Sequence, residues 1–530
     1  MIGTCLTSVA DYIKEHGKKS CRKLAGIFNR SKSSIHRRQQ KIKSRAHIPG
    51  ALFFESSDGQ AWLKKLVVAA ILIFGIKSGV GSETLALFFS MITVGSFVAT
   101  SPASLKRLED RIDDLIIEYK DMQDKGIMEK APELSITPGG DETFFEKMMM
   151  LVCMDLNSGF IFNESIEQNR NHSTWESSST PWLSRFKIVR CFLSDKARAL
   201  LKLAKDSLGV DRLPDLFHMM NDVSKVMRFS FHRLKTSTEK SLADATTKLA
   251  KGVDEATNKV IIASLSIRMQ LISRRQVEYE KSLRRLSTAL HPFAILSGEK
   301  QNSATVESNM LANLNRIKEI KEELEINDSG NKLDRVKRQI PDASRQVDMW
   351  WGWVHTSLES SNATTEIKTW LLDYLLPFIY WRCMLRKANS KKIKRFYQVS
   401  LMLAEIKLRS HELTDQLLIP DHKSEWQLWA EEMSQLFIRT TSAIEGRNGW
   451  LSQIHFNGRG LSVKRIKSQT AIHNYFLKRP DGTTACERLS QIKPDDMFEF
   501  ILQRIGPMAQ PGNGKSRGCC NALNLKSVPA

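Results

Sequence analysis

The sequence predicts a mostly α-helical protein whose mixed α/β core is interrupted by a large all-α insertion and preceded by a helix-turn-helix region. Alternating and continuous apolar runs, which are typical of strands, occur between residues 141 and 222. From 223 to 435 they give way to long segments with helical periodicity and many paired charges. Within the core, the order hairpin, strand, helix, strand indicates a mixed sheet.

Length and charge restrict the classes of protein to consider. A chain of 530 residues is too long for one ordinary core, and 42% hydrophobic with 26% charged residues is typical of a folded protein. The net charge of +21 means that basic residues repel one another in a compact state, which favours a protein with an anionic partner. Nucleic acid is the leading candidate for that partner. A basic soluble protein without such a partner is the alternative.

Shifts in composition divide the chain into six units. The Pro/Gly-rich stretch at 131–144 is interpreted as the break before the core. The predicted units are 1–60, a helix-turn-helix DNA-binding region; 61–140, a second helical region; 141–222, the first part of the core; 223–435, the all-α insertion; 436–505, the final part of the core; and 506–530, a flexible tail.

The N-terminal unit carries a helix-turn-helix pattern between Ser20 and Lys43. A short apolar helix is followed by a break at 29–31 and by a second helix that is rich in basic residues. In such motifs the second helix enters the major groove and its cations meet phosphates. The predicted DNA contacts are Arg37, Arg38, Lys41 and Lys43. Two short amphipathic helices without a DNA-binding role are the alternative.

The unit at 61–140 is predicted to be either a second helix-turn-helix or a pair of linker helices. Four acids on its last helix, Glu109, Asp110, Asp113 and Asp114, argue against direct DNA contact along that face. The apolar run from Leu66 to Ile76 is shorter than the ~20 residues that cross a bilayer, so a buried helix and no membrane association are expected. Eight cysteines without zinc-type spacing fit a reduced, cytosolic compartment.

Two acids occupy strand positions in the predicted core. Asp155 lies near the end of the first strand of a hairpin with a turn at 157–159, and Asp195 ends a third strand. A helix after the insertion is expected to bring Glu445 to the same sheet edge. Carboxylates that converge repel each other, and the usual relief is divalent cations with oxygen ligands, Mg²⁺ or Mn²⁺. Two such ions catalyse phosphodiester displacement.

Four segments in this order resemble blocks of the DDE transposases of bacterial insertion sequences, which have an RNase H-like core: VCMDLNSGFIF, FLSDKARALLKLA, LPDLFHMMND and SAIEGRNGWLS. The resemblance implies that Asp155, Asp195 and Glu445 are catalytic and bind the metal. It also implies that Asp215 and His218 form the D-x-x-H motif found in branches with a helical insertion before the final Glu. A buried structural pair is the alternative for these two residues.

Two further groups are candidate DNA contacts. The basic residues around Glu445, namely Arg447, Arg459, Lys464 and Arg465, are expected to hold phosphates beside the cleft, with a solvated basic face as the alternative. The aromatic cluster Trp350, Trp351 and Trp353 is a candidate for stacking on a flipped base. Tryptophans between helices more often fill a core, and core packing is the favoured interpretation.

The resemblance implies a DNA transposase that cuts and joins strands with two Mg²⁺ or Mn²⁺ ions. Its partners would be double-stranded DNA, both the terminal repeats of the element and the target, and a second copy or a higher multimer of the chain. It would act in the bacterial cytoplasm, at the nucleoid. The alternative is a catalytically inactive DNA-binding protein or regulator derived from a transposase.

Overall fold

The computed structural model describes residues 6–48, 50–146, 148–388, 390–418, 424–458 and 460–511. The predicted DNA contact Arg459 and most of the predicted tail, 512–530, lie outside the described residues. The described chain is mostly helical and contains one small mixed sheet.

Twenty-three helices are present in the described residues. They are α1 Leu6–His16, α2 Cys21–Ile27, α3 Lys32–Ser44, α4 Ala51–Phe54, α5 Ser57–Ala70, α6 Ser82–Met91, α7 Pro102–Lys130, α8 His172–Leu183, α9 Arg198–Lys202, α10 Leu216–Ala250, α11 Glu255–Ala289, α12 Ser303–Glu323, α13 Lys332–Lys337, α14 Ile340–Glu359, α15 Thr365–Trp370, α16 Leu376–Lys387, α17 Lys391–Arg409, α18 Leu413–Leu417, α19 Glu425–Leu436, α20 Ser442–Gly458, α21 Val463–Ala471, α22 Ala485–Ser490 and α23 Met497–Arg504. Wider π-helical turns extend α5 to Lys77, α9 to Ser207 and α21 to Phe476, and another joins α15 to α16.

Seven strands are present in the same residues. They are β1 Ser135–Ile136, β2 Pro138–Phe145, β3 Met148–Asp155, β4 Ile161–Glu167, β5 Ile188–Val189, β6 Phe192–Ser194 and β7 Arg212–Pro214. The main sheet has the order β4-β3-β2-β6-β7, in which β3 is antiparallel to both β2 and β4, while β6 is parallel to β2 and β7. Strands β1 and β5 pair separately in parallel.

The helix-turn-helix pattern is present as two helices joined by a short turn. The side chain of Ser31 accepts a hydrogen bond from the amide of Ser34 and so caps the N-terminus of α3. Val9 of α1, Leu24 of α2 and Ile35 of α3 form a small common core. The three helices therefore pack as one unit, and the basic face of α3 points away from that core.

The apolar run Leu66–Ile76 belongs to a longer helix than the sequence predicted. Within the described residues, the helix from Ser57 to Lys77 is long and apolar enough to cross a membrane by length and composition, and half of its most apolar window is buried. Leu63, Val67 and Ile71 are fully buried in the core that also contains α7 and one face of the sheet. The expected burial of this run is thus confirmed for its inward face.

The predicted hairpin is confirmed as β3 and β4, but the central strand β2 was not predicted. Pro138 begins β2, where it withholds no interior ladder bond. A Cβ atom on Gly139 would lie 2.9 Å from a methyl carbon of Leu156, and one on Gly140 would lie 2.8 Å from the ring of Phe192. Glycine is needed in this strand because neighbouring side chains pack against the backbone.

The described residues between β7 and α20 form the helices α10 to α19, which surround their own core. The largest side chains in that core are Trp350, Trp370, Trp381 and Tyr380. Three predicted boundaries are wrong, because they cut continuous elements: 60/61 lies within α5, 140/141 within β2 and 222/223 within α10. The boundary residues resemble breaks locally, but backbone hydrogen bonding runs through them.

Helix α20 lies across one face of the sheet. Its buried residues Ile444, Leu451 and Ile454 pack with Met150 and Val152 of β3. The opposite face is covered by α5, α7, α8 and the C-terminal helices. The sheet is therefore enclosed on both sides, and α20 is the element that can bring a side chain to the edge at which β2 and β6 lie side by side.

Candidate metal centre

Three side chains from distant parts of the chain meet beside the sheet. Asp141 comes from β2, His218 from the first turn of α10 and Glu445 from the first turn of α20. One potential ligand atom of each lies within 4.8 Å of the others. The Nε2 atom of His218 is 3.7 Å from a carboxylate oxygen of Glu445. The group can hold a cation through two carboxylates and an imidazole.

Asp215 holds the surrounding backbone in place. Its carboxylate caps α10 by accepting a hydrogen bond of 2.8 Å from the amide of Phe217, and its other oxygen lies 2.7 Å from Nδ1 of His218. The hydroxyl of Thr441 donates to the same carboxylate, and the Thr441 amide lies 3.3 Å from it. Because Thr441 immediately precedes α20, Asp215 ties His218 and Glu445 to one anchor.

These contacts assign different roles to the two residues of the predicted D-x-x-H motif. Asp215 is fully buried and saturated with hydrogen bonds, as in the structural alternative. His218 is partly exposed and turns Nε2 toward Glu445. The acid therefore fixes the orientation of the imidazole, and the imidazole itself reaches the candidate site.

The pKa values around the centre depend on burial and on mutual repulsion. Burial, which has the largest effect, and the charges of Glu445 and Asp195 together raise the pKa of Asp141 to about 7, against the opposing effect of His218. The hydrogen bond to Asp215 raises the pKa of His218 to about 9 despite its burial, and Asp141 and Glu445 add to the rise. Without a bound cation, the carboxylates therefore repel one another, and the single positive charge of His218 offsets this repulsion only in part.

Asp195 lies at the end of β6, as the sequence predicted. One of its carboxylate oxygens accepts a hydrogen bond of 2.8 Å from the amide of Ala197, which leaves the other free to face the cleft. Asp195 is near enough to Asp141 to raise its pKa, and it lines the same cleft as His218. Of the three predicted acids, Glu445 belongs to the group with Asp141 and His218, and Asp195 lines the cleft beside His218.

The first predicted acid, Asp155, lies at the end of β3 as predicted, but it is not part of the group formed by Asp141, His218 and Glu445. Its carboxylate is buried and accepts hydrogen bonds from the amides of Thr137 and Ser158, at 2.9 and 2.8 Å, and from the Ser158 hydroxyl at 2.6 Å. It therefore closes the β3–β4 turn. In the sheet, Asp155 lies opposite Pro138 of β2. Asp141 is three residues further along β2, so the two acids are separated by about 10 Å along the strand direction.

The residue that sequence reasoning missed is Asp141, together with its partner Asn448. The Nδ2 group of Asn448 donates a hydrogen bond of 3.1 Å to Asp141, so α20 orients this carboxylate as well as supplying Glu445. The segment Pro138–Asp141 resembles a loop. The alternation of Thr143 and Phe145 after it was the available indication of a strand.

Replacing Asp155 with alanine is expected to destabilise the fold without weakening metal binding. The change leaves two buried amides without an acceptor, which costs about 3 kcal/mol. Chemical denaturation measures this loss, and calorimetric titration of the folded variant with Mn²⁺ should give an affinity within about twofold of the parent. A stable variant that no longer binds Mn²⁺ would indicate that Asp155 is a metal ligand after all.

Arg447, a predicted DNA contact, is buried and paired within the protein. Its guanidinium forms two hydrogen bonds of 2.8 Å to the carboxylate of Glu164 on β4, and both side chains are almost completely buried. Thr470 donates a further bond of 2.7 Å to Glu164. Burial raises the pKa of Glu164, but the pairing outweighs it and leaves that pKa below its usual value. The pair fixes α20 against β4 and α21.

The next two predicted DNA contacts are also engaged within the protein. Lys464 lies 2.7 Å from the carboxylate of Asp114, and Arg465 pairs with Glu109 and lies 3.0 Å from Asp113. The acidic face of α7 therefore packs against α21, which explains why acids are concentrated there. Arg465 is buried and unavailable to DNA, and Lys464 is half exposed but paired.

The three tryptophans of the aromatic cluster belong to the core, as favoured from the sequence. The indole nitrogen of Trp350 donates to the carbonyl of Met433 at 2.8 Å, and that of Trp351 donates to Gln301 at 2.9 Å. Trp353 packs between the insertion and the sheet, beneath the guanidinium of Arg190. Trp350 is fully buried, and Trp351 and Trp353 are partly buried against the core.

The basic residues of α3 remain candidates for DNA contact. Arg37 and Lys43 are exposed, and Arg38 and Lys41 are partly buried along the same face. Arg37, Arg38 and Lys41 line a shallow depression that also includes Gln510. Their arrangement agrees with the predicted role, which stays a prediction.

Comparison with known proteins adds one match. A profile described as a family of unknown function, DUF6399, matches residues 371–517. This stretch contains the end of the insertion, α20 with Glu445, and the C-terminal helices. No curated protein matches the chain. Function has to be argued from the chemistry of the site.

Proposed function

We propose that the chain is a metal-dependent DNA transposase of the DDE type. The observation that carries this proposal is the meeting of Asp141, His218 and Glu445 at one site, where Asp215 orients His218 and Asp195 is near enough to raise the pKa of Asp141. The triad differs from the one implied by the sequence blocks in its first member. The other two acids are the ones that the resemblance implies, with Asp195 at the end of β6 and Glu445 on α20.

The sheet supports an RNase H-like core. Three antiparallel strands are followed by two strands that are parallel to the central one, in the order β4-β3-β2-β6-β7. This is the arrangement of the sheet in RNase H-like folds. One acid lies on the central strand, one at the end of its parallel neighbour, and one on a helix that crosses the face of the sheet. A long helical insertion separates the last two.

The donor set fits Mg²⁺ or Mn²⁺. Carboxylate oxygens are the ligands that these ions prefer, and Asp141, Asp195 and Glu445 would hold two ions. Burial first and the charges of Glu445 and Asp195 second raise the pKa of Asp141, and a bound cation would favour its charged form against both effects. When bound, such ions activate water or a 3′-hydroxyl for attack on a phosphodiester and stabilise the leaving oxygen.

The remaining residues of the site orient the acids. Asn448 donates a hydrogen bond to one carboxylate oxygen of Asp141. Asp215 fixes His218 so that Nε2 faces Glu445. Thr441 anchors the start of α20 to the same carboxylate. These contacts preorganise the oxygen donors before metal or DNA binds, which is the usual role of residues that hydrogen-bond to ligands.

The proposed DNA partners are the terminal repeats of a mobile element and its target. The exposed basic face of α3 would read the terminal repeats in the major groove, in a bacterial cell at the nucleoid. Pairing two DNA ends requires at least two copies of the chain. We therefore expect the active form to be a homodimer or a higher multimer on DNA.

A catalytically inactive DNA-binding protein is the second candidate, and one observation favours it. His218 has a pKa of about 9, so it is cationic at neutral pH when no metal is bound. Its charge partly neutralises Asp141 and Glu445 without a divalent ion. Such a protein would keep the α3 surface and bind the same DNA without cutting it.

Metal binding and DNA cleavage together test the proposal. Saturation with Mn²⁺ at about 100 times its Kd should raise the free energy of unfolding by about 2.7 kcal/mol, measured by denaturation with Mn²⁺ and with EDTA. The same protein should nick a duplex that carries the inverted repeats flanking its reading frame. Identical stability in Mn²⁺ and EDTA, with uncut duplex, would leave only the inactive alternative.

A further inference from the structure

A large charged cleft opens directly beside the candidate metal centre. It has a volume of about 1020 Å³ and is lined by both Asp195 and His218. The sheet side supplies four cations and the helical insertion supplies two. They are Arg170, Lys196, Arg198 and Lys202 from the sheet side, and Lys225 and Arg335 from α10 and α13.

Most of these cations lack an acidic partner. Arg170 pairs with Glu142, but the other five form no ion pair with any residue that the structure describes. The contrast with Lys464 and Arg465 is informative, because those cations are occupied by acids of α7. Among the described residues, Lys196, Arg198, Lys202, Lys225 and Arg335 are thus cations without an acidic partner that line the same cleft as Asp195 and His218.

The cations also crowd one another across the cleft. Burial lowers the pKa of Lys196, and the positive charges of Arg212, Arg338 and Arg335 lower it further, while Asp342 opposes them. Like charges held this close destabilise the folded chain unless an anion lies between them. Arg335 and Arg338 belong to the insertion, whereas Lys196 follows β6. An anion here would bridge the two parts of the protein.

We propose that this cleft binds the backbone phosphates of the DNA strand whose scissile phosphate lies at Asp141, Asp195 and Glu445. This inference rests on the proposed function and adds a second DNA surface to the one on α3. The cleft is lined by Asp195 and His218 and is as large as the largest small-molecule pockets, but most of its lining residues are charged or polar. Charged walls without aromatic platforms fit a polyanionic backbone rather than bases or a small apolar ligand.

The proposal gives the helical insertion a role in binding. Its helices α10 and α13 form the wall opposite Lys196 and Arg198, so a strand in the cleft would be held from both sides. Residues from this wall are not among the cations that the sequence singled out. Their charges lie in ordinary helical settings, and only the fold shows that they face the acids.

Salt-dependent DNA binding tests the cleft separately from catalysis. The parent for the test carries Arg37→Ala and Arg38→Ala, so that α3 does not mask the cleft, and binding is measured in EDTA. The probe is a fluorescein-labelled 30-nucleotide strand of mixed sequence, followed by anisotropy from 50 to 300 mM KCl. Adding Lys196→Ala, Arg198→Ala and Arg335→Ala should reduce the slope of log K against log[KCl] by about 2, since each phosphate contact contributes about 0.7.

A charge-matched control separates the cleft from the net charge of the protein. Lys235, Lys240 and Lys248 are exposed on the distal part of α10, away from the cleft. Replacing these three with alanine removes the same charge and should change the slope by less than about 0.5. Far-UV circular dichroism and thermal melting of both triple variants show whether their folds match the parent.

The outcomes distinguish this inference from the proposed function. If the unmodified protein cuts DNA but the cleft variant binds the strand with the same slope as the control, the cleft proposal is wrong and the catalytic one stands. If the cleft variant loses its salt-dependent binding but no Mn²⁺-dependent cutting occurs in the unmodified protein, the cleft binds DNA and the catalytic proposal fails. Equal binding by parent, control and cleft variant overturns the cleft proposal in either case.

Discussion

Replacing Asp141 with asparagine, or Glu445 with glutamine, is expected to lower the rate of Mn²⁺-dependent DNA cleavage by about 1,000-fold or more. Each change exchanges a charged oxygen ligand for a neutral amide of the same shape. The hydrogen bond from Asn448 and the packing of α20 can therefore persist. Single-turnover cleavage of the labelled terminal-repeat duplex measures the rate, and anisotropy in EDTA should show unchanged affinity for that duplex.

The control for these variants is Asp206→Asn. Asp206 is an exposed acid that follows α9 and does not line the charged cleft, so its loss should change the cleavage rate by less than about twofold. Full-rate cleavage by Asp141→Asn would remove this acid from the catalytic triad. Equal loss of activity in all three variants would indicate a general effect of charge.

The Asp141→Asn change should also stabilise the metal-free protein. Burial, Glu445 and Asp195 all disfavour the charged form of Asp141, and they raise its pKa to about 7. An amide removes that repulsion, so the free energy of unfolding in EDTA should increase by about 1 kcal/mol. A gain in stability that accompanies a loss of function is typical of ligands held together against their electrostatic repulsion.

The elements predicted correctly from the sequence are those determined by local patterns. The β3–β4 hairpin follows from two apolar runs around the Asn157–Gly159 turn, and Gly209 ends the helical segment after β6 with a positive φ. The helical insertion follows from periodicity over more than two hundred residues. None of these predictions needs knowledge of a distant contact.

Strand β2 was not predicted because contacts with residues distant in the sequence, and not its local sequence pattern, stabilise it. Pro138, Gly139 and Gly140 are turn residues by every local measure. Leu156 and Phe192 explain them, since their side chains occupy the space that a Cβ atom would need. The central strand of the sheet is therefore the one with the weakest sequence pattern. Without this strand, the sequence offered Asp155 on the neighbouring strand as the first acid, whereas the proposed site uses Asp141.

The basic residues illustrate a similar limit. A sequence shows where a cation is but not which acid it meets, and Arg447 meets Glu164 from a strand 283 positions earlier. Lys464 and Arg465 meet the acids of α7, which the sequence had set aside as unsuited to DNA contact. Proximity to Glu445 in the sequence was thus a poor guide to proximity to DNA.

The insertion also controls where Glu445 lies. Arg439, a few residues before α20, reaches into the insertion and donates to the Tyr397 hydroxyl at 3.1 Å and to the Leu290 carbonyl at 3.4 Å. Its own carbonyl accepts a bond of 3.0 Å from the amide of Leu216, at the start of α10. The segment that leads into α20 is therefore fixed by the core of the insertion. The hydrogen bonds of Arg439 thus link the helical insertion to the candidate site beside it.

Replacing Arg447 with methionine is expected to destabilise the protein by about 3–5 kcal/mol, because it leaves the buried carboxylate of Glu164 without its partner. Denaturation monitored by circular dichroism measures the loss. Adding Glu164→Gln should recover a substantial part of it, since the unpaired charge is then removed. The double variant tests the pairing itself, because two unrelated defects would add instead of compensating.

Arg409 provides the matched control for this prediction. It pairs with Glu405 on the exposed surface of α17, where an ion pair contributes little, so Arg409→Met should leave stability almost unchanged. In the Arg447→Met and Glu164→Gln double variant, the salt dependence of DNA binding should equal that of the parent, because the guanidinium is buried inside the protein. An Arg447→Met protein of normal stability, whose binding slope falls by about one phosphate contact, would instead make Arg447 the DNA contact that its position beside Glu445 first indicated.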